Sequence, residues 1–155
     1  MNEHKMRRKD RQCDEQTARR ILANSEHGVF STVGEDGYPY GVPVNHVVEG
    51  NKIYFHCAFN VGHKQENLKF SKKVCFTAVE TGEVDPENRL TRYRSAIAFG
   101  TAKRMTDDRH HALELILDKY CAHCKKAGLE EIRQAYDKTD VIEMTIEKIT
   151  GKFHL

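Results

Sequence analysis

Two short turns constrain this chain more than any other feature. Glu35-Asp36-Gly37 and Glu49-Gly50-Asn51 each separate segments in which apolar and polar residues alternate with a period of two. Asp-Gly and Gly-Asn steps suit tight hairpins because glycine reaches positive φ without strain. Strands joined by two or three residues must run antiparallel, since a parallel pair needs a crossover of a dozen or more. Segments 28–33, 38–48 and 52–58 therefore read as consecutive antiparallel strands. Segments 74–80, 95–105 and 141–152 bring the expected number to six.

Helical periodicity fills the remaining stretches. Ala18, Ile21 and Leu22 form an apolar stripe over 14–24, and 62–70 reads as a short helix with Asn60 as its cap. Two further helices are expected over 107–126 and 130–138, while the polar stretch 81–92, containing Pro86, reads as a loop. Six antiparallel strands in so short a chain favour a barrel or sandwich over an open sheet with bare edges. The expected fold is mainly β (α+β), a six-stranded antiparallel barrel with peripheral helices. Its 155 residues suit a single domain, 1–155, opened by a basic arm over 1–13.

Charge and composition exclude several classes of function. Twenty-five basic residues against 23 acidic ones leave a net charge of +2, too even for a nucleic-acid binder. No apolar run reaches the roughly 18–20 residues a membrane span needs. The opening MNEHKMRRKDRQ has no secretory signal, so the expectation is a soluble, cytoplasmic protein. Five cysteines, an odd number, read as reduced thiols. Cys121 and Cys124 are spaced as a C-x-x-C, but zinc takes four ligands and no second pair is evident. They read as packing residues on one helix face, and no metal is expected.

Three windows carry potential chemistry. Within 52–69 a strand ends in His56-Cys57-Ala58, bends at Gly62 and enters a helix whose first turn holds His63 and Lys64, with Asn67 one turn on. A helix start with a lysine suits a phosphate dianion. Within 37–46, Pro39 and Pro43 cannot donate to a ladder, so the strand is an edge or is bulged, and its bare backbone can face a flat heterocycle. Within 93–102, small residues alternate with Ile97 and Phe99, as in a tapering barrel or beside a close neighbour.

MRRKDR, EDGYPYGVPVN, IYFHCA…GHK…NL, YRSAIAFGTA and EKITGK, in that order over residues 6–152, resemble the FMN-binding split-barrel superfamily related to pyridoxamine 5′-phosphate oxidase. The nitroimidazole-resistance (Nim-type) branch is the better match. The resemblance implies a split barrel that forms a homodimer with FMN at the interface, FAD being possible, and a small-molecule electron acceptor. By position it implies Pro43, Val44 and Asn45 along the flavin ring, and His56 and Cys57 beneath the ribityl chain. It places His63, Lys64 and Asn67 at the phosphate, Ser95 near the ring, and Lys152 reaching the partner's site. His56 is the expected proton donor and His46 the second choice. The chain has no tryptophan and no arginine-rich C-terminal pattern for a pyridoxal phosphate, which argues against vitamin B6 oxidation. A non-catalytic flavin carrier or sensor and a haem-binding split barrel are the alternatives.

Overall fold

The structure, a computed structural model, describes residues 4–154; residues 1–3 of the expected arm and residue 155 lie outside them. The strands are β1 (Gln12–Cys13), β2 (His27–Val33), β3 (Pro39–Asn45), β4 (Val47–Glu49), β5 (Lys52–Ala58), β6 (Lys73–Asp85), β7 (Leu90–Arg104) and β8 (Thr139–His154). The helices are α1 (Glu15–Asn24), α2 (His63–Phe70), α3 (Arg109–Tyr120) and α4 (Lys125–Ala135). One antiparallel sheet runs β3-β2-β6-β7-β8-β5-β4, and β1 pairs with β8.

Alternation decides which side of the sheet is the core. Phe30, Phe76, Ala96 and Ala98 all face inward, with at most 1% of their surface exposed, and meet Phe55 and Ile142 from the far side of the curl. α1 closes one end of this core with Ala18, Ile21 and Leu22. Its start is fixed where the Asp14 carboxylate accepts the Thr17 N–H at 2.7 Å. Gly100, at a register shift between β7 and β8, leaves room for nothing larger, since a Cβ there would lie 1.9 Å from the Thr145 carbonyl oxygen.

The described strands number eight rather than the expected six. The long strand over 38–48 divides because His46 bonds to a helix instead of a strand. Its N–H donates to the Tyr120 hydroxyl at 2.9 Å, and its carbonyl accepts from the Lys119 ammonium at 2.9 Å. The expected loop over 81–92 is the far half of a hairpin, paired as far as Asp85 with Leu90 around a turn at 86–89. The expected helix over 107–126 ends at Tyr120, where a single 3-10 turn, Ala122–Cys124, leads into α4. Cys121 and Cys124 therefore share no continuous helix face, and Cys124 is exposed.

The barrel is split. β3 ends the sheet on one side, and β4 covers only Lys52 to Tyr54 of β5 on the other. From Phe55 to Ala58, β5 pairs with β8 alone, leaving two strand edges with unpaired backbone groups across a gap. None of the described helices is long and apolar enough to cross a membrane.

Candidate functional site

A cleft of about 420 Å³ lies at this split. One wall is the β3 edge with Pro43, Val44 and Asn45, and the other is β5 with His56 and Cys57. Lys64, in the first turn of α2, and Lys138 also line it. α2 begins at Gly62, whose φ of 105° only glycine adopts easily, and no side chain caps its first turn. An uncapped helix start with a lysine in its first turn is suited to an anion. Strand edges with free N–H and C=O groups suit the rim of a flat heterocycle.

Of the residues singled out from sequence, Pro43, Val44, Asn45, His56, Cys57 and Lys64 line this one cleft. His63 and Asn67 lie elsewhere. The His63 ring stacks on Tyr40 with centroids 4.1 Å apart. Asn67 is buried and donates its amide to the Thr32 hydroxyl at 2.9 Å, tying α2 to β2. Ser95 and Lys152 face each other across β7 and β8. They sit eleven residues farther along β8 than Val141, the partner of His56. In a single chain they are remote from the cleft.

His56 is exposed to the cleft, yet the protein packed around it, and then the positive charge of Lys64, lower its pKa from the usual imidazole value. Cys57 faces the core instead. Burial pushes its thiol pKa up, and Gln65 donates to its sulfur at 3.3 Å and to the Ala58 carbonyl at 2.7 Å. That pair of bonds fixes α2 against β5.

His46 is a core residue. It has no exposed surface, packs on the Phe76 ring with centroids 4.8 Å apart, and its Nε2 lies 2.7 Å from the Leu22 carbonyl. Burial holds its pKa down at about 4, with Lys119 and His27 adding to the shift and the Leu22 carbonyl opposing it. The unfolded chain takes up the same proton near pH 6.5. Acidification from about pH 6.5 to about 4 therefore favours unfolding, by about 3 kcal/mol in all. Urea midpoints should fall over that window in the natural protein, and His46→Gln should remove most of this slope. A natural protein whose midpoint stays level would remove the assignment.

Sequence reasoning did not find Lys138, Thr139 or Asp140. Asp140, on β8, is 1% exposed and is the cross-strand partner of Cys57 on β5. One carboxylate oxygen accepts the Asn60 N–H at 2.6 Å, and the other is flanked by Arg104 at 3.6 Å and Arg109 at 3.8 Å. A lone aspartate inside the run T-D-V-I-E-M was the only signal available. Among the described residues, no three His, Cys, Asp or Glu side chains gather as a metal site.

An antiparallel barrel left open between two strand edges, with a cleft lined by two lysines in the opening, defines a split-barrel protein. The chain belongs to the pyridoxamine 5′-phosphate oxidase family, which it matches over residues 14–153. No curated protein matches it. Among solved structures, a candidate 5-nitroimidazole antibiotic resistance protein from Bacteroides thetaiotaomicron superposes with a TM-score of 0.72 at 23% identity, covering 90% of this chain and 84% of that one. An FAD and haem binding protein from Mycobacterium smegmatis gives 0.76 at 19% identity, covering 92% and 73%. An FAD-binding protein from Mesorhizobium loti gives 0.65 at 18% identity, covering 92% and 95%. At these identities the likeness is one of fold.

Proposed function

We propose that the chain is a flavoprotein, holding FMN in the first place and FAD as the alternative, and that it is an oxidoreductase passing electrons to small aromatic or nitro compounds. The observation that carries this reading is the cleft at the split, with two bare strand edges for a ring system and Lys64 at the uncapped start of α2 for a phosphate. The flavin and haem ligands named for the solved relatives support it.

The flavin, when bound, supplies the electron chemistry, and the protein supplies position and protons. The β3 edge would align the ring, and Lys64 would offset part of the phosphate charge. His56 stands on the opposite wall, able to hold or pass a proton at its imidazole nitrogens. An anion that offsets the field of Lys64 removes the lesser of the two influences that lower the His56 pKa, and the larger one, burial, stays.

A homodimer completes the reading. Val29, Val79 and Ile97 are 37%, 53% and 37% exposed on the outer face of β2, β6 and β7, although all are apolar. On that same face Asn45 pairs with His27, and Ser95 lies between Val79 and Lys152. A second copy covering this surface buries the valines and brings its own Ser95 and Lys152 toward the cleft.

The absorption spectrum of the purified protein tests the cofactor. A chain that shows no flavin band and takes up none on incubation with FMN removes the proposal. The activity is tested anaerobically by reducing the loaded protein, adding a 5-nitroimidazole and following the return of the flavin band. Reoxidation no faster than that of free FMN makes the chain a carrier instead. His56→Ala should slow this step about a hundredfold and change flavin affinity far less. Equal losses in rate and affinity assign His56 a structural role.

A further inference from the structure

We infer that the hollow beneath α3 and α4 is the pocket for the electron acceptor, and that it selects neutral, planar molecules of one or two rings over anionic ones. The inference rests on the flavin reading and names the substrate class of the same site.

The hollow holds about 310 Å³, near the lower end of the range of roughly 300–1,000 Å³ seen for small-molecule sites. Leu113, Ile116 and Leu117 of α3 form one wall and Ile132 and Ala135 of α4 the other. Gly128 sets the spacing of these helices, because a Cβ there would come within 2.2 Å of a Leu117 methyl carbon. A flat apolar molecule loses little hydration on entering such a space and gains contact on both faces.

Three residues connect this hollow to the flavin cleft. Asn45, His56 and Thr139 line both. A molecule seated between the helices therefore presents one end to His56 and to the part of the cleft where β3 would align the ring. No other described hollow shares His56 with the cleft. His56, Asn45 and Thr139 give an acceptor oxygen or nitro group polar partners at the end of the hollow that meets the cleft.

The charges are sorted between the two spaces. Lys64 and Lys138 border the cleft and not the hollow, whereas Glu131 is the one charged residue on the wall of the hollow. Moving an anion between leucine and isoleucine side chains beside a carboxylate removes its hydration and returns no opposite charge. Phosphorylated and carboxylated aromatics are disfavoured there, while the cleft beside it accepts a phosphate.

The test is a titration of the purified protein, carrying ¹³C-methyl leucine and isoleucine, with nitrobenzene and separately with 4-nitrobenzoate. Nitrobenzene should shift the methyl signals of Leu113, Ile116, Leu117 and Ile132, and the benzoate should bind about tenfold more weakly or less well still. Ala135→Leu fills the space from an exposed helix position and should weaken nitrobenzene binding about tenfold, with flavin absorbance per chain unchanged. A flavin-loaded protein whose four sets of methyl signals stay still overturns the inference and leaves the flavin reading intact. So does an Ala135→Leu protein that binds nitrobenzene as tightly as its parent, or a benzoate that binds as well as nitrobenzene. Methyl shifts in a chain that takes up no flavin support the pocket and remove the flavin reading instead.

Discussion

A Lys64→Glu protein should purify without flavin and should bind added FMN at least about a hundredfold more weakly than its parent. The change removes an attraction and adds a repulsion at one point, so a phosphate dianion meets two units of altered charge. Lys64 is half-buried on the cleft wall, where water screens the pair less than at an open surface. Folding should be nearly untouched, because a glutamate in the first turn of a helix is favoured by the helix dipole. The two effects are thereby separable: urea midpoints should agree within about 0.5 kcal/mol, while a flavin fluorescence titration shows the loss. Flavin retained at the parent stoichiometry moves the phosphate away from α2. A collapse in stability instead makes Lys64 a structural residue.

Much of this site was legible before any coordinates. The Asp36-Gly37 step announced the antiparallel hairpin of β2 and β3 and the Gly50-Asn51 step that of β4 and β5, and Pro39 and Pro43 marked β3 as an edge. Those local signals act over a few residues and do not say which strands face each other, so Pro43, Val44, Asn45, His56 and Cys57 were placed together only by the family resemblance. Contacts made by tertiary packing left weaker traces. Nothing near His46 announces that Lys119 and Tyr120, more than seventy residues away, take its backbone bonds and divide the strand. The β6–β7 hairpin looks like a loop because it runs past the barrel core, so neither face is obliged to be apolar and alternation disappears. The different directions of His63 and Lys64 follow from helix geometry alone, since neighbouring residues on a helix do not share a face. That His63 meets Tyr40 depends on where β3 passes, which one-dimensional spacing does not specify.

Asp140 is the residue whose loss should reach both stability and the site, and two substitutions separate the routes. Asn60 has a φ of 52°, in the left-handed region that costs a non-glycine residue about 1 kcal/mol or more. It is held there from both ends: its N–H by the Asp140 carboxylate and its side-chain oxygen by the Arg104 guanidinium at 3.1 Å. The segment so held leads through Gly62 directly into α2 and Lys64. Asp140→Ala removes the acceptor and the counter-charge of Arg104 and Arg109 together, and should cost about 3 kcal/mol. With the loop released, flavin affinity should fall about tenfold as Lys64 loses its fixed position. Asp140→Asn keeps an oxygen for the Asn60 N–H and removes only the charge. The Arg104 side chain is 39% exposed, which softens that loss, while Arg109 is only 14% exposed, so about 2 kcal/mol is expected, with flavin affinity close to that of the parent. The measurements are urea midpoints and flavin titrations on all three proteins. If Asp140→Asn weakens flavin binding as much as Asp140→Ala does, the carboxylate acts on the cleft through its charge and not through the bond to Asn60. If neither substitution lowers the midpoint, the two arginines are adequately solvated without it, and the strained conformation of Asn60 must be maintained by Arg104 alone.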